Sequence, residues 1–257
     1  MDKADILRAV ADGSLSVEEA ESLLSKPAVS KVGDVANLDL ERASRCGMPE
    51  IVLAEGKDTD SLVQIMHNFV KAAGRCVASR ITAEQTKAVC AALPDGVDAE
   101  FREAGNILIL TDGTVPKPSG GKVAVLTAGT SDIRVAEEAR AIAEEMGAEV
   151  VTAYDVGVAG IHRLFPALEK VSGADVYVVC AGREGTLPSV VAGLVDKPVI
   201  GVPVSTGYGY MGHGQAALAS MLQSCAVITV VNIDAGFTAG AFAARTAALI
   251  AEARNTK

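Results

Sequence analysis

The chain has 257 residues, of which 49% are apolar, enough for one large domain or two modest ones with a filled core. Its formal net charge is −9 and it contains no tryptophan, which argues against the basic, aromatic-rich surface of a nucleic-acid-binding protein. The charged, amphipathic N-terminus does not resemble a secretory signal, and no apolar run reaches the ~18–20 residues of a membrane span. We therefore expect a cytoplasmic protein that binds neither nucleic acid nor membrane.

The chain contains an odd number of cysteines, which form no CxxC pair: Cys46, Cys76, Cys90, Cys180 and Cys225. This spacing supports neither a disulfide framework nor a zinc site. We therefore expect free thiols.

The N-terminal part divides into a helical lead-in at 1–35 and a small domain at 36–115. Two short helices are predicted in the lead-in, the second opened by a capping box of Ser16 and Glu19. In the small domain, short apolar runs alternate with helical patterns, which predicts an α+β fold. The apolar runs lie at 51–54 and 107–110, and the helical patterns lie at 58–73 and 82–93.

A linker rich in proline and glycine, 113–121, precedes a regular alternation of strands and helices over 122–257. The predicted strands are apolar throughout, which is typical of a parallel sheet covered by helices on both faces. The predicted fold class is α/β, a doubly wound parallel sheet of the flavodoxin-like or Rossmann-like type. The predicted strands lie at 122–128, 149–155, 176–181, 198–204 and 228–233, with helices at 132–146, 161–171, 187–195, 214–223 and 237–253.

Ligands of such sheets bind beyond the carboxyl ends of the strands, where five glycine-containing loops follow the predicted strands. Backbone N–H groups at Gly129, with the hydroxyls of Thr130 and Ser131 before Asp132, are typical of a phosphate cradle. Strand-to-helix turns also need glycine and polar helix caps for purely structural reasons, so for any single loop both interpretations stay open. The GxGxxG fingerprint is absent after the first strand, which disfavours an ordinary NAD dehydrogenase.

Three further polar side chains follow strands. Glu184 is interpreted as a general base, as a ligand for a hydroxyl group or as a helix cap. His162 and Arg163 are interpreted either as a solvent-facing helical turn or as a proton shuttle beside an anion-binding group.

The segments AGTSD, DVGVAGIHRL, AGREGTLPSVVAGLVDKPVIGVPVSTGYG and SMLQSCAVITVVNID resemble the LarB family. The C-terminal half is also similar to the aminoimidazole ribonucleotide carboxylases and mutases of purine synthesis. In the N-terminal half, LDLERASRCGMPEIVLAEGKD at 38–58 is similar to the N-terminal signature of LarB, so the resemblance covers nearly the whole chain.

The resemblance implies a carboxylase and hydrolase of nickel-pincer cofactor biosynthesis. Nicotinic acid adenine dinucleotide is carboxylated at C5 of its pyridinium ring with CO2 or bicarbonate. Its phosphoanhydride is then hydrolysed to pyridinium-3,5-biscarboxylic acid mononucleotide and AMP. The resemblance further implies Mg2+ beside the substrate and a homo-oligomer, an octamer as in the related carboxylases.

By the same resemblance, Cys225 is the thiol that adds to ring C4, which makes C5 an enamine carbon able to attack CO2. Glu184 is the acid–base or orienting carboxylate, and His162 is the third catalytic candidate. The expected substrate contacts are Asp39, Arg42, Arg45, Lys57, Gly129, Thr130, Ser131, Asp132, Arg163, Gly182, Ser205, Gly207, Asn232 and Asp234.

Cys225 follows a predicted helix C-terminus, where the dipole raises the pKa of a thiol, so a cation has to activate it. The substrate ring, Arg42, Arg45 and Lys57 are the candidates. Cys180, inside an apolar strand, is expected to be buried and inert.

Three positions depart from the LarB pattern: Arg183, Tyr210 and Ala235. They flank the expected site, so a shifted substrate preference is one consequence. The rival interpretations are a purine-type carboxylase or mutase, and a non-catalytic nucleotide-binding sensor that uses the same loops.

Overall fold

The computed structural model describes residues 3–24, 29–32 and 36–256. Its first helices are α1 (Lys3–Ala11) and α2 (Val17–Leu24). The predicted capping box is confirmed, because the Ser16 N–H donates to the Glu19 carboxylate at 2.9 Å and the Glu19 N–H donates to Ser16 Oγ at 3.1 Å. The box therefore fixes the start of α2.

The lead-in is not wholly helical. β1 (Val29–Val32) pairs antiparallel with β2 (Ala36–Asp39). The β-branched valines of this segment favour extended backbone over helix. Residues 1–2, 25–28 and 33–35 of the lead-in lie outside the described residues.

The next seven elements form a mixed sheet with two long helices. They are α3 (Arg42–Cys46), β3 (Ile51–Leu53), α4 (Thr59–Ala73), β4 (Arg75–Ser79), α5 (Ala83–Ala91), β5 (Asp98–Arg102) and β6 (Ile107–Thr111). The strand order is β3-β4-β6-β5, with only β3 and β4 parallel. α4 buries Leu62, Ile65, Met66 and Phe69, which recur at the helical spacing, against this sheet. The predicted apolar strands and helical patterns are thus found.

The C-terminal part alternates strands and helices. Its elements are β7 (Lys122–Thr127), α6 (Ile133–Glu145), β8 (Glu149–Ala153), α7 (Leu164–Lys170), β9 (Val176–Ala181), α8 (Thr186–Ala192), β10 (Val199–Pro203), α9 (Gln215–Leu222), β11 (Thr229–Val230) and α10 (Gly236–Asn255). All five strands are parallel, in the order β11-β10-β9-β7-β8. This is the flavodoxin-like order, which confirms the predicted doubly wound α/β fold.

Two predicted elements are shorter than expected. The strand predicted at 228–233 is reduced to β11, which has a single neighbouring strand, and the chain then turns away towards the loop at 205. The helix predicted at 161–171 begins at Leu164, after a 3-10 segment at 158–163. Pro166 is tolerated only in the first turn of an α-helix, which prevents a much earlier start.

Helix α6 joins the two sheets. The Arg75 guanidinium of β4 makes two hydrogen bonds of 2.6 Å to the buried Glu145 carboxylate. Arg102 of β5 donates one hydrogen bond to Glu144 of the same helix and another to Glu100. These contacts hold the mixed sheet against the helix whose N-terminus lies at the candidate site. None of the helices in the described part is long and apolar enough to cross a membrane.

Candidate functional site

The parallel sheet has a crevice at the carboxyl ends of β7 and β9. From β7 the chain leads to β8 on one side, whereas from β9 it leads to β10 on the other, so the loops after the two strands diverge. Between them lies a cavity of about 350 Å3. Its walls come from residues 128–129, 131–132, 157–159, 181, 183–187 and 206–208. The size falls in the range of about 300–1,000 Å3 that is typical of small-molecule sites.

Asp132 ties two of these walls together. Its carboxylate accepts the Gly129 N–H at 2.8 Å and the Thr206 hydroxyl at 3.3 Å. The side chain is buried, and burial raises the pKa of Asp132, whereas the hydrogen bonds from Gly129, Thr206 and Gly182 oppose that rise. The carboxylate thus both caps the turn at 130–132, as one interpretation expected, and lies in the cavity wall.

Two polar side chains in the wall are open to a ligand. The Ser131 hydroxyl and the Glu184 carboxylate are exposed, and neither has a hydrogen-bond or ion-pair partner among the described residues. Thr130, next to Ser131, is exposed as well but is not part of the wall. A hydroxyl donor and a carboxylate acceptor therefore face the same space.

The floor of the cavity is formed by closely packed backbone. A Cβ at Gly207 would lie 2.1 Å from the carbonyl oxygen of Gly182, and a Cβ at Gly157 would lie 2.5 Å from that of Ala128. Both distances are impossible for a real side chain, so glycine is required here. Gly182 and Gly207 shape the site through their lack of a side chain.

Ser205 and Asp234 act behind the wall. The Ser205 N–H donates to the Asp234 carboxylate at 2.9 Å, and the Asp234 N–H donates to the Pro203 carbonyl at 2.9 Å. Asp234 has a φ of 55°. Asn232 accepts the N–H of Ile233. None of Ser205, Asn232 and Asp234 lines the cavity, so Asp234 positions the loop rather than touching the cavity.

His162 and Arg163 lie in the 3-10 segment at 158–163, exposed. The cavity wall includes Val158 and Ala159 of this segment but neither His162 nor Arg163. The Arg163 guanidinium pairs with the Asp155 carboxylate at 2.5 Å. The structure therefore places both residues beside the cavity, with Arg163 engaged elsewhere.

The N-terminal candidates lie outside the cavity wall. Arg45 of α3 pairs with Asp39 at 2.5 Å, and this hydrogen bond lowers the pKa of the Asp39 carboxyl. Arg42 lies one turn before Cys46, whose thiol contacts its carbonyl oxygen. Lys57 is exposed, and its carbonyl accepts from Gln85. Within one chain, the structure does not bring these residues to Glu184.

Cys225 is exposed and does not line the cavity. It lies after α9 and before β11, which places it at the amino ends of the parallel strands. The cavity lies at their carboxyl ends, and a five-residue strand spans about 17 Å. In a single chain, the expected nucleophile and the cavity are therefore at opposite edges of the sheet.

Cys180 fits the expectation of a buried, inert thiol. Cys180 is fully buried at the end of β9, and burial raises its pKa well above the usual value. Burial likewise raises the pKa of Cys76 and of Cys90. All five cysteines are described and are free thiols, as predicted.

The cavity residues that were not among the predicted contacts include Arg183, Thr206 and Tyr208. The guanidinium carbon of Arg183 lies 4.1 Å from the centroid of the Tyr208 ring. For Thr206 and Tyr208 the available signal was the loop VSTGYGYMGHG, which combines a hydroxyl and aromatic residues beyond a buried strand; Arg183 was expected only to flank the site.

The described residues contain no group of three or more His, Cys, Asp or Glu side chains that could hold a metal ion. The donor set for a protein-bound Mg2+ is therefore lacking in this part of the chain.

Two family models match the chain. The LarB/PurE-like N-terminal domain matches residues 29–112, and the AIR carboxylase domain matches residues 122–257. These are the domains of an enzyme of the carboxylase or mutase type.

Relatives show the same division. An uncharacterized protein of Methanocaldococcus jannaschii is 42% identical over 93% of this chain and 94% of its own length. An N5-carboxyaminoimidazole ribonucleotide mutase of the same organism is 37% identical over 49% of this chain and 79% of its own length. A mutase of the same name from Thermotoga maritima is 32% identical over 33% of this chain and 51% of its own length. With a LarB/PurE-like domain followed by an AIR carboxylase domain, the chain belongs to the LarB-like family.

Proposed function

We propose that this protein carboxylates nicotinic acid adenine dinucleotide and hydrolyses its phosphoanhydride, in nickel-pincer cofactor biosynthesis. The products are pyridinium-3,5-biscarboxylic acid mononucleotide and AMP. The observation that carries the proposal is the presence of the LarB/PurE-like domain on the same chain as the AIR carboxylase domain. The cavity supports it, since Ser131 and Glu184 offer open polar groups in a space of small-molecule size.

The proposed chemistry makes ring C5 nucleophilic. The Cys225 thiolate adds to C4 of the pyridinium ring, and the resulting enamine attacks CO2 from C5. Glu184 is the open carboxylate of the wall and takes the C5 proton. Departure of the thiolate then restores the aromatic ring. In the net carboxylation, a carboxylate derived from CO2 replaces the proton on C5. Water cleaves the phosphoanhydride in a second step.

The position of Cys225 requires a second copy of the chain in this scheme. Because the thiol lies at the edge opposite the cavity, we propose a homo-oligomer in which Cys225 of one copy reaches the cavity of another. The flanking side chains support an interface, since Leu222 is 67% exposed and Val227 is 95% exposed. The N-terminal cations Arg42, Arg45 and Lys57 remain candidates for contacting the substrate in such an assembly. An octamer is the proposed state.

A labelling experiment tests the function. Purified protein is incubated with nicotinic acid adenine dinucleotide, 13C-bicarbonate and Mg2+, the last as counter-ion of the substrate diphosphate. Mass spectrometry should find a labelled dicarboxylated mononucleotide together with AMP. Unlabelled product, or no product, under conditions where the substrate binds would contradict the proposal.

The second candidate is an aminoimidazole ribonucleotide carboxylase or mutase. The matches to N5-carboxyaminoimidazole ribonucleotide mutases favour it, although they cover at most about half of this chain. Consumption of an aminoimidazole ribonucleotide in a parallel incubation, with nicotinic acid adenine dinucleotide left intact, would establish this candidate instead.

A further inference from the structure

The charged side chains of the cavity wall determine where an anionic ligand can be attracted. Asp132 and Glu184 place two carboxyl groups in the wall. Among the described residues that line the cavity, Arg183 is the only one with a cationic side chain. An anionic group entering from solvent therefore finds one site of direct charge complementarity.

Arg183 and Tyr208 belong to different walls. Arg183 follows β9, whereas Tyr208 lies in the glycine-rich loop after β10. The guanidinium lies over the tyrosine ring, with 4.1 Å from its central carbon to the ring centroid. This cation–π contact bridges the two loops at the exposed rim of the cavity.

The contact with Tyr208 leaves hydrogen-bond donors of the guanidinium available. The group carries five N–H donors, so those that do not face the ring stay open to a ligand. Arg183 has no hydrogen-bond or ion-pair partner among the described residues. The Tyr208 ring therefore orients the guanidinium, while N–H donors of the guanidinium stay available for a ligand.

We propose that Arg183, oriented by Tyr208, is the residue that binds an oxyanion of the nucleotide substrate at the cavity rim and so selects for anionic ligands. A carboxylate or a phosphate fits the same planar fork through two parallel hydrogen bonds. The proposal rests on the proposed function only for the choice of nucleotide.

Binding is measured by calorimetry with three probes and no turnover. Nicotinic acid adenine dinucleotide carries the ring carboxylate and a diphosphate, NAD+ carries the diphosphate without the carboxylate, and nicotinic acid mononucleotide carries the carboxylate with one phosphate. Arg183→Met should weaken binding of nicotinic acid adenine dinucleotide about tenfold or more, as expected for loss of charge-assisted hydrogen bonds. Arg183→Lys keeps the charge but loses the two parallel donors. Its affinity for this dinucleotide should therefore lie between those of the wild type and of Arg183→Met.

The probes identify the oxyanion. An equal loss for the dinucleotide acid and NAD+ assigns Arg183 to the phosphate, and a loss confined to the two nicotinate probes assigns it to the carboxylate. Either result supports the proposal. The control is Arg245→Met, an identical charge change at an exposed arginine of α10, which should leave all three affinities unchanged.

Tyr208→Leu tests the orienting role. It should weaken the same probe that Arg183→Met affects, by a smaller factor, while the charge is unchanged. Wild-type affinity of Arg183→Met for all three probes, in protein that converts the substrate, would overturn this inference alone. Binding that depends on Arg183 without conversion would overturn only the proposed function, and failure of the wild type to bind any probe would overturn both.

Discussion

Arg80 donates a hydrogen bond of 2.8 Å from its guanidinium to the main-chain carbonyl oxygen of Asp234. Arg80 follows β4 of the mixed sheet, and Asp234 in turn holds the N–H of Ser205. The same guanidinium contacts Glu55 at 3.0 Å and the buried Glu138 at 3.4 Å. One side chain thus links the N-terminal sheet to the loop that carries Thr206 and Tyr208.

Arg80→Ala should lower both stability and substrate affinity. It leaves the buried Glu138 carboxylate with Ser79 as its donor among the described residues, at a cost of about 3 kcal/mol. Asp234, which holds the loop at 205, loses one of its hydrogen bonds, so KM should rise more than kcat falls. Urea unfolding and steady-state kinetics measure the two effects.

The matched control for that variant is Glu55→Gln. Glu55 is the exposed partner of the same arginine, with 63% of its side chain accessible, so its removal should cost about 1 kcal/mol or less. Equal effects of the two variants would show that the buried contacts of Arg80 do not matter.

Cys225→Ser should abolish carboxylation, because an alkoxide is a poor leaving group from the ring. Cys180→Ala should keep most of the activity, because that thiol is buried and its pKa is raised. Iodoacetamide should label Cys225 but not Cys180 in the folded protein, as mass spectrometry of the digest would show. Wild-type carboxylation by the serine variant would rule out thiol addition.

A shared site predicts complementation between two inactive variants. Glu184→Gln damages the cavity and Cys225→Ser damages the opposite edge, so each homo-oligomer should be inactive. Co-expressed at equal levels, they should recover about a quarter of the wild-type activity, since random pairing joins two intact halves in one site of four. A mixture as inactive as its components would place Cys225 and Glu184 of the same chain in one site, contrary to the structure.

The stability of the protein should carry a pH-dependent contribution from Asp132. Burial raises its pKa, so the folded chain holds this proton more tightly than the unfolded chain. Its contribution therefore falls as the pH rises from the unfolded pKa near 3.8 to the folded value. Asp132→Asn removes the titration and keeps an acceptor for the Gly129 N–H.

The free energy of unfolding of Asp132→Asn, relative to the wild type, should increase through this pH window and stay constant above it. Chemical denaturation from about pH 4 to about pH 8 measures the difference. A difference independent of pH would show that the Asp132 pKa is not raised by folding.

The sheet and its cavity are predictable because their signals are local. β9 and β10 are apolar throughout, and strands buried on both faces need such runs. The position of Cys225 also follows from topology, because the eight residues of α9 carry the chain about 12 Å back along the sheet. The resemblance to LarB, and not the fold of a single chain, connects Cys225 with the site.

Other features depend on contacts that no local pattern encodes. Arg183 and Tyr208 meet because two loops converge, and their separation along the chain carries no sign of it. Asp234 supports a loop because its φ is 55°, a conformation uncommon for residues other than glycine. β11 ends after two residues because it lies at the edge of the sheet. The apolar residues of the sequence continue beyond this end, so the sequence predicts a longer strand.

The glycine floor limits how this enzyme can change during evolution. A mutation at Gly157 or Gly207 that adds even one methyl group would collide with a carbonyl oxygen and disturb two loops at once. The rim has no such constraint, since Arg183 and Tyr208 are exposed. Substitutions at the rim can therefore vary while the two glycines keep the backbone of the crevice in place.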